Sequence, residues 1–179
     1  MTGPARPGRQ TIGVVINLPE PHATVLRGWR RRIGDPQADL IAPHLTLLPP
    51  VGVDTADLPE ICGQLADVAA KQAPFPMHLS GTGTFRPLSQ VVFVQVAAGI
   101  AQCELLEEAI RRGPLARPRD HPFHPHVTVA QDLDDDKLDD IYDALGTFVA
   151  RFPVDRFALF VRQGNGAWAT EREFPLGGD

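Results

Sequence analysis

The chain repeats itself, and the repeat fixes how two of its segments must run. Pro43-His44-Leu45-Thr46-Leu47 and Pro125-His126-Val127-Thr128-Val129 share one frame, Pro-His-apolar-Thr-apolar, at a separation of 82 residues. Successive side chains of an extended strand alternate faces, so His and Thr at i and i+2 project to one side while Leu45, Leu47, Val127 and Val129 project to the other. Each copy therefore predicts a strand with one buried edge and, on its open face, an imidazole beside a hydroxyl. With 6 histidines in 179 residues, chance supplies about 0.06 copies of His-apolar-Thr-apolar, and two copies on the order of a few times in a thousand. Buried strands that merely happen to contain histidine would account for one copy, but not for the matching frame of both.

The segments around the two motifs run in the same order. Thr11 to Leu18 reads as a buried strand, Glu20 to Ile33 as a helix ending at Gly34-Asp35-Pro36, and His44 to Leu48 as a strand stopped by Pro49-Pro50. Asp57 to Lys71 carries Leu58, Ile61, Cys62, Leu65, Val68 and Ala69 at helical spacing, with Asp57 placed to cap it. Phe75 to Phe85 alternates like a strand, and Gly81 and Gly83 suggest a bulge or a close backbone approach. The order then restarts. Val91 to Val96 is a strand, Gln102 to Arg112 a helix with Leu105, Leu106, Ala109 and Ile110 inward, His126 to Ala130 a strand, and Asp135 to Leu145 a helix opened by acidic residues that suit its N-terminus. Phe152 to Arg162 and Ala167 to Phe174 read as a hairpin around Gln163-Gly164-Asn165-Gly166. The step from first strand to motif is 29 residues from Val15 to His44 and 32 from Val94 to His126. The expectation is an α+β fold, bilobal, of duplicated β-α-β-α-β units related by a pseudo-two-fold, with both motifs at a central cleft.

Composition narrows what such a cleft can serve. At 179 residues and 43% hydrophobic, the sequence suits one compact domain over residues 11–176, preceded by a flexible tail over residues 1–10. The apolar run Ile12 to Leu18 contains Asn17 and is broken by Pro19, too short for a secretory core or a membrane span. Cys62 and Cys103 stand far apart, outside any Cys-x-x-Cys frame, which suggests neither a disulfide scaffold nor a cysteine metal site and fits a reducing cytoplasm. A net charge of −5 disfavours gripping extended nucleic acid by many phosphate contacts. Small anions remain acceptable, because Arg30-Arg31-Arg32, Arg111-Arg112, Arg117 and Arg119 form local basic clusters that either line a cleft or decorate helix ends.

Two imidazoles facing one cleft suit proton transfer in both directions. Histidine titrates near neutrality, so one ring can take a proton from a nucleophile while the other gives one to a leaving oxygen. Threonine hydroxyls can donate to non-bridging phosphate oxygens and stabilise charge as it builds. A cyclic phosphodiester fits, since its leaving oxygen stays tethered. Residues alone do not say which histidine is acid and which is base.

The paired motifs, their separation and the duplicated order resemble the 2H phosphoesterase superfamily, which includes bacterial 2′,5′-RNA ligases and 2′,3′-cyclic nucleotide phosphodiesterases. The flanks Asp39-Leu40-Ile41-Ala42 and Leu48-Pro49-Pro50 fit the general superfamily more closely than its ligase branch. The resemblance spans roughly residues 11–176. It implies a bilobal α+β fold and cofactor-free, metal-independent hydrolysis of 2′,3′-cyclic phosphates on RNA ends or small nucleotides, or the related 2′,5′ ligation. It also implies His44 and His126 as the catalytic pair and Thr46 and Thr128 as phosphate ligands.

Phe85, Arg86 and Phe123 are further candidate substrate contacts, by base stacking and phosphate pairing, although an aromatic at a strand end is more often a core residue. His121, His124 and His126 lie close in sequence, but no Cys or Glu-x-x-His partner accompanies them, so no metal site is expected. The expected partners are RNA ends or small cyclic nucleotides, without a membrane, and the protein is expected to work as a monomer. A nucleotide- or RNA-end-binding module that turns nothing over is the alternative, disfavoured because a binder has no need of both imidazoles.

Overall fold

The computed structural model describes residues 8–177. Eight antiparallel strands, β1 (Arg9–Asn17), β2 (His44–Asp54), β3 (Phe75–Thr84), β4 (Val91–Ala98), β5 (His126–Gln131), β6 (Val149–Val154), β7 (Arg156–Arg162) and β8 (Trp168–Pro175), form one sheet in the order β6-β3-β4-β5-β2-β1-β7-β8. Four helices, α1 (His22–Arg32), α2 (Leu58–Ala70), α3 (Ile100–Ile110) and α4 (Asp135–Ala144), pack Leu26, Ile61, Leu65, Leu106 and Ile141 into the core with the inward residues of the strands. The sheet order is symmetric about the β5–β2 junction, which makes the pseudo-two-fold visible. Each half takes its third strand from the other repeat: β3 pairs with β4, and β7 pairs with β1. The lobes are thus interlocked rather than each built from one continuous repeat.

Several boundaries differ from expectation, each for a local reason. β2 does not stop at Pro49-Pro50 but runs to Asp54, because the ladder with β1 jumps from Val14↔Leu48 to Ile12↔Val51, setting the two prolines opposite the single residue Gly13. In such a bulge the missing proline N–H groups break no ladder bond. Phe152 to Arg162 is two strands, not one. The chain leaves β6 at one sheet edge and, after Asp155 alone, enters β7 beside β1, so the curled sheet brings its two ends together at that corner. Pro153 is tolerated in β6 because this is an edge strand.

α3 begins and ends two residues earlier than expected, and its buried face is Cys103, Leu106, Glu107 and Ile110; Leu105 is 60% exposed and Ala109 only half-buried. Glu107 takes an inward position because Arg111 and Arg119 neutralise it. Asp57 makes no side-chain capping bond at α2, whereas Glu20 accepts one from the Thr24 amide in the first turn of α1. Gly83 fulfils the expected close approach, since a Cβ there would stand 2.6 Å from the Phe93 ring. The hairpin forms as expected, with Gln163 N–H donating to Ala167 O at 2.7 Å. Residues 1–7 of the expected tail lie outside the described residues, and Arg9 and Gln10 already belong to β1. Cys62 and Cys103 are free thiols. Among the described residues no helix is long and apolar enough to cross a membrane.

Candidate functional site

The two motif strands meet at the centre of the sheet through the single pair Leu45↔Val127. Both residues are buried in the core with Leu47 and Val129. Continuing that antiparallel register by one residue each way sets His44 opposite Thr128 and Thr46 opposite His126, all four on the open face. Burial follows the motif identically in both copies: proline buried, His half-buried, apolar buried, Thr half-buried, apolar buried. The structure thus brings the four residues of the repeated frame together around the pseudo-dyad.

Each imidazole is held in the same way. His44 Nδ1 lies 2.8 Å from the carbonyl oxygen of Ala42, and His126 Nδ1 lies 2.6 Å from that of His124. A carbonyl oxygen only accepts, so each Nδ1 carries the proton and donates. In the neutral ring Nε2 is then the base, and in the charged ring it is the acid.

The surroundings of the two rings differ. Burial pushes His44 down from the ordinary imidazole value to about 4, helped by the positive charges of Arg30 and His126, while the bond to Ala42 opposes the shift. Arg30 is itself buried, held by Asp35 at 2.7 Å. Burial also lowers His126, with His124 adding to the effect and the bond to the His124 carbonyl opposing it. Phe160 is the aromatic neighbour of His44, at 6.1 Å between ring centroids. His126 stands among three rings: Phe85 at 5.0 Å, edge-on, Phe93 at 5.2 Å and His124 at 5.8 Å. Val15, Ala158 and Phe160, with Ile41 and Trp168, form a small second core, and the pair Val15↔Thr46 places it on the open face beside the first motif.

The remaining sequence candidates divide. Phe85 borders His126 and stays half-buried. Arg86 leans away from the cleft: its guanidinium binds Asp139 at 2.9 Å and reaches Asp135 at 3.7 Å on α4, tying the β3–β4 connection to that helix. Phe123 packs against the main core. Most of the basic residues serve internal contacts: Arg31 binds Asp39, Arg32 lies over Trp29, Arg111 and Arg119 hold Glu107, and Arg112 approaches Glu108. Among the described residues no three His, Cys, Asp or Glu side chains gather as metal ligands would.

Two neighbours of the histidines escape the sequence reading, Asn17 and Gln95, while Arg30, one of the basic cluster expected to line a cleft or decorate a helix end, acts on His44 from a buried place beside Asp35. β1 pairs Asn17 with His44, and β4 pairs Gln95 with His126, so each imidazole has an amide side chain across its outer ladder. The only signal in the sequence is a polar residue interrupting an apolar strand in phase with the open face, seen in Ile16-Asn17-Leu18 and Val94-Gln95-Val96.

Comparison with known proteins agrees with this architecture. The model of the 2′-5′ RNA ligase superfamily matches residues 18–166. A protein of Bacillus mycoides strain KBAB4, named as a candidate phosphoesterase, is 32% identical over 168 residues, covering 93% of this chain and 96% of its own length. A counterpart in Bacillus cereus strain AH820 is 31% identical over the same coverage. The crystal structure of E. coli LigT complexed with 3′-AMP aligns with a TM-score of 0.70 at 20% identity, over 94% of this chain and 98% of that one, a likeness of fold. TT0787 of Thermus thermophilus aligns at 0.64 with 25% identity, over 94% and 99%. The chain belongs to the 2′-5′ RNA ligase superfamily and has the fold of a 2H phosphoesterase, a phosphoesterase- or ligase-type enzyme.

Proposed function

We propose that this protein opens 2′,3′-cyclic phosphates, on RNA ends or small nucleotides, with His44 as general base and His126 as general acid. The observation that carries the reading is the doubled clamp: both Nδ1 atoms are spent on a carbonyl two residues back, which frees both Nε2 atoms for a substrate. Thr46 and Thr128, one beside each ring, supply hydroxyl donors for the non-bridging oxygens.

The roles follow from the unequal surroundings. His44, at about 4, is neutral at physiological pH and keeps its Nε2 lone pair. An anionic phosphate bound between the rings raises both imidazoles, and His126, farther from buried Arg30, is the one to hold the proton. A water molecule attacks phosphorus and loses a proton to His44 Nε2 as the new P–O bond forms. The bond to one ribose oxygen breaks, and that oxygen takes the Nε2 proton of His126. The product is a phosphate monoester beside a free hydroxyl, and the two rings return to their starting states by exchange with solvent. Both proton transfers are covered by protein side chains, so the cycle is written without a metal or cofactor. The same step with a ribose 5′-hydroxyl in place of water, its proton going to His44 and the 3′-oxygen taking the proton of His126, would give 2′,5′ ligation.

Phe85 and Phe93 line the His126 side and offer an aromatic wall to a base, in keeping with a family relative by fold, LigT, having been solved with 3′-AMP. The test is turnover of 2′,3′-cyclic nucleotides and of a cyclic-phosphate-ended oligoribonucleotide by EDTA-treated protein. His44→Ala and His126→Ala should each lose about 100- to 10,000-fold in kcat. Binding without turnover in the wild type would instead make the protein a nucleotide-binding module.

A further inference from the structure

A third imidazole stands in the cleft beside the motif pair. The ring of His124 lies 5.8 Å from that of His126 and packs edge-on against two phenylalanines, Phe85 at 5.5 Å and Phe93 at 5.2 Å, which meet each other at 4.5 Å. These contacts hold the ring in place, yet the residue stays exposed. Its backbone carbonyl clamps His126 Nδ1, but among the described residues neither nitrogen of its ring has a hydrogen-bond partner. A ring fixed by aromatic packing with both nitrogens uncommitted is preorganised to meet a ligand.

Where His124 stands decides what that ligand can be. The motif strands meet at Leu45↔Val127, and the phosphate proposed to react lies at that junction, between His44 and His126. Running back from Val127, the chain passes His126 and then His124, so His124 stands beyond the acid, away from His44. In the proposed reaction His126 protonates the departing ribose oxygen, which sets the ribose on this outer side. Two groups hang from that ribose. The base has flat π-faces and suits the wall of Phe85 and Phe93. The 5′ substituent of an RNA end is a phosphodiester, an anion that accepts hydrogen bonds, and the uncommitted imidazole suits it, because in either protonation state the ring has an N–H to donate.

We infer that His124 binds the phosphate on the 5′ side of the terminal nucleotide, and that this contact selects RNA ends over free nucleoside 2′,3′-cyclic phosphates. His124 is thereby a specificity-determining residue, two positions from the acid and apart from the phosphate that reacts. A free nucleoside cyclic phosphate carries only a hydroxyl at that place and forfeits the hydrogen bond to a charged group. This rests on the proposed cyclic-phosphate activity.

The experiment compares kcat/KM for adenosine 2′,3′-cyclic phosphate with that for the same nucleotide carrying a methyl phosphate on its 5′-oxygen, in wild type, His124→Phe and His124→Gln. All rates are taken at one pH, so an effect of the substitution on His126 enters both substrates and cancels in their ratio. Phe keeps the ring packing and has no N–H; Gln gives up the ring and keeps an N–H donor. The carbonyl that holds His126 belongs to the backbone and stays in both variants. The wild type should favour the 5′-phosphate-bearing substrate by about tenfold, mainly through KM. His124→Phe should bring that ratio down to about one, and His124→Gln should keep most of it. Equal kcat/KM for the two substrates in the wild type overturns the inference alone, and so does a preference that survives in His124→Phe. A preference lost as fully in His124→Gln as in His124→Phe does so as well, by showing that N–H donation does not carry it. No turnover of either substrate by the wild type would overturn the proposed function, and the inference with it.

Discussion

The two halves of the cleft hold their histidines by the same device and surround them differently. On both sides a proline precedes the ring, a carbonyl two residues back fixes Nδ1–H, and a threonine follows on the same face. Around His44 stand an unpartnered amide, a buried arginine and a single aromatic ring. Around His126 stand an exposed, satisfied amide and three rings. A duplication supplies symmetry, whereas acid–base chemistry needs two groups that titrate apart. Under the proposed acid–base roles, these unequal surroundings are what would set the two rings apart.

The shared elements should matter most and equally. Thr46→Val and Thr128→Val each remove one donor to the phosphate oxygens, and each should cost about 10- to 100-fold in kcat/KM. Steady-state rates on a cyclic nucleotide check this, and a loss confined to one threonine would mean that a single lobe carries the phosphate.

The next test removes the charge peculiar to the His44 side. In Arg30→Met/Asp35→Asn the buried pair goes as a unit, because stranding either charge alone costs about 3–5 kcal/mol. The Asn oxygen can still accept from the Gln37 amide, as Asp35 does. His44 should rise by about half a unit to one unit, and the acid limb of the pH–rate profile with it, while the basic limb stays in place.

The depressed ring also predicts how stability depends on pH. His44 sits near 4 in the folded protein and near 6.5 unfolded, so the unfolded chain binds the extra proton between those values. Its contribution is therefore complete above about pH 6.5 and lost as pH falls toward 4, by at most about 3 kcal/mol. Urea melts across that window should give a gentler pH slope in His44→Gln than in wild type.

The smallest expected effects are those of the rings. Phe85→Ala opens His126 to water and should raise the basic limb by about half a unit, leaving the acid limb alone; Phe160→Ala should do the converse. If both variants move the same limb, the histidine roles are not divided as argued.

What was legible in the sequence was local. The His-apolar-Thr frame needs only the two-residue period of a strand, and the strand–helix order needs only hydrophobic periodicity, so both could be read along the chain. Asn17 and Gln95 could not, and Arg30 could be read only as one of a basic cluster, because their relation to the histidines arises from cross-strand register and from a helix packing over the sheet. The β6–β7 corner escaped for a related reason: Asp155 alone separates two strands at opposite ends of the sheet, with no Gly or Asn turn to mark the break. Leu105 was misplaced because apolar spacing cannot anticipate that Glu107, neutralised by two arginines, takes an inward position.

The proposed activity divides a pair of imidazoles over one cyclic phosphate. The most direct measurement is kcat/KM for a 2′,3′-cyclic nucleotide against pH, with EDTA-treated protein. A bell is expected, with its acid limb near 4, set by His44, and its basic limb below the ordinary imidazole value, set by His126. A profile with a single limb, or one unchanged in His44→Ala or His126→Ala, would contradict it.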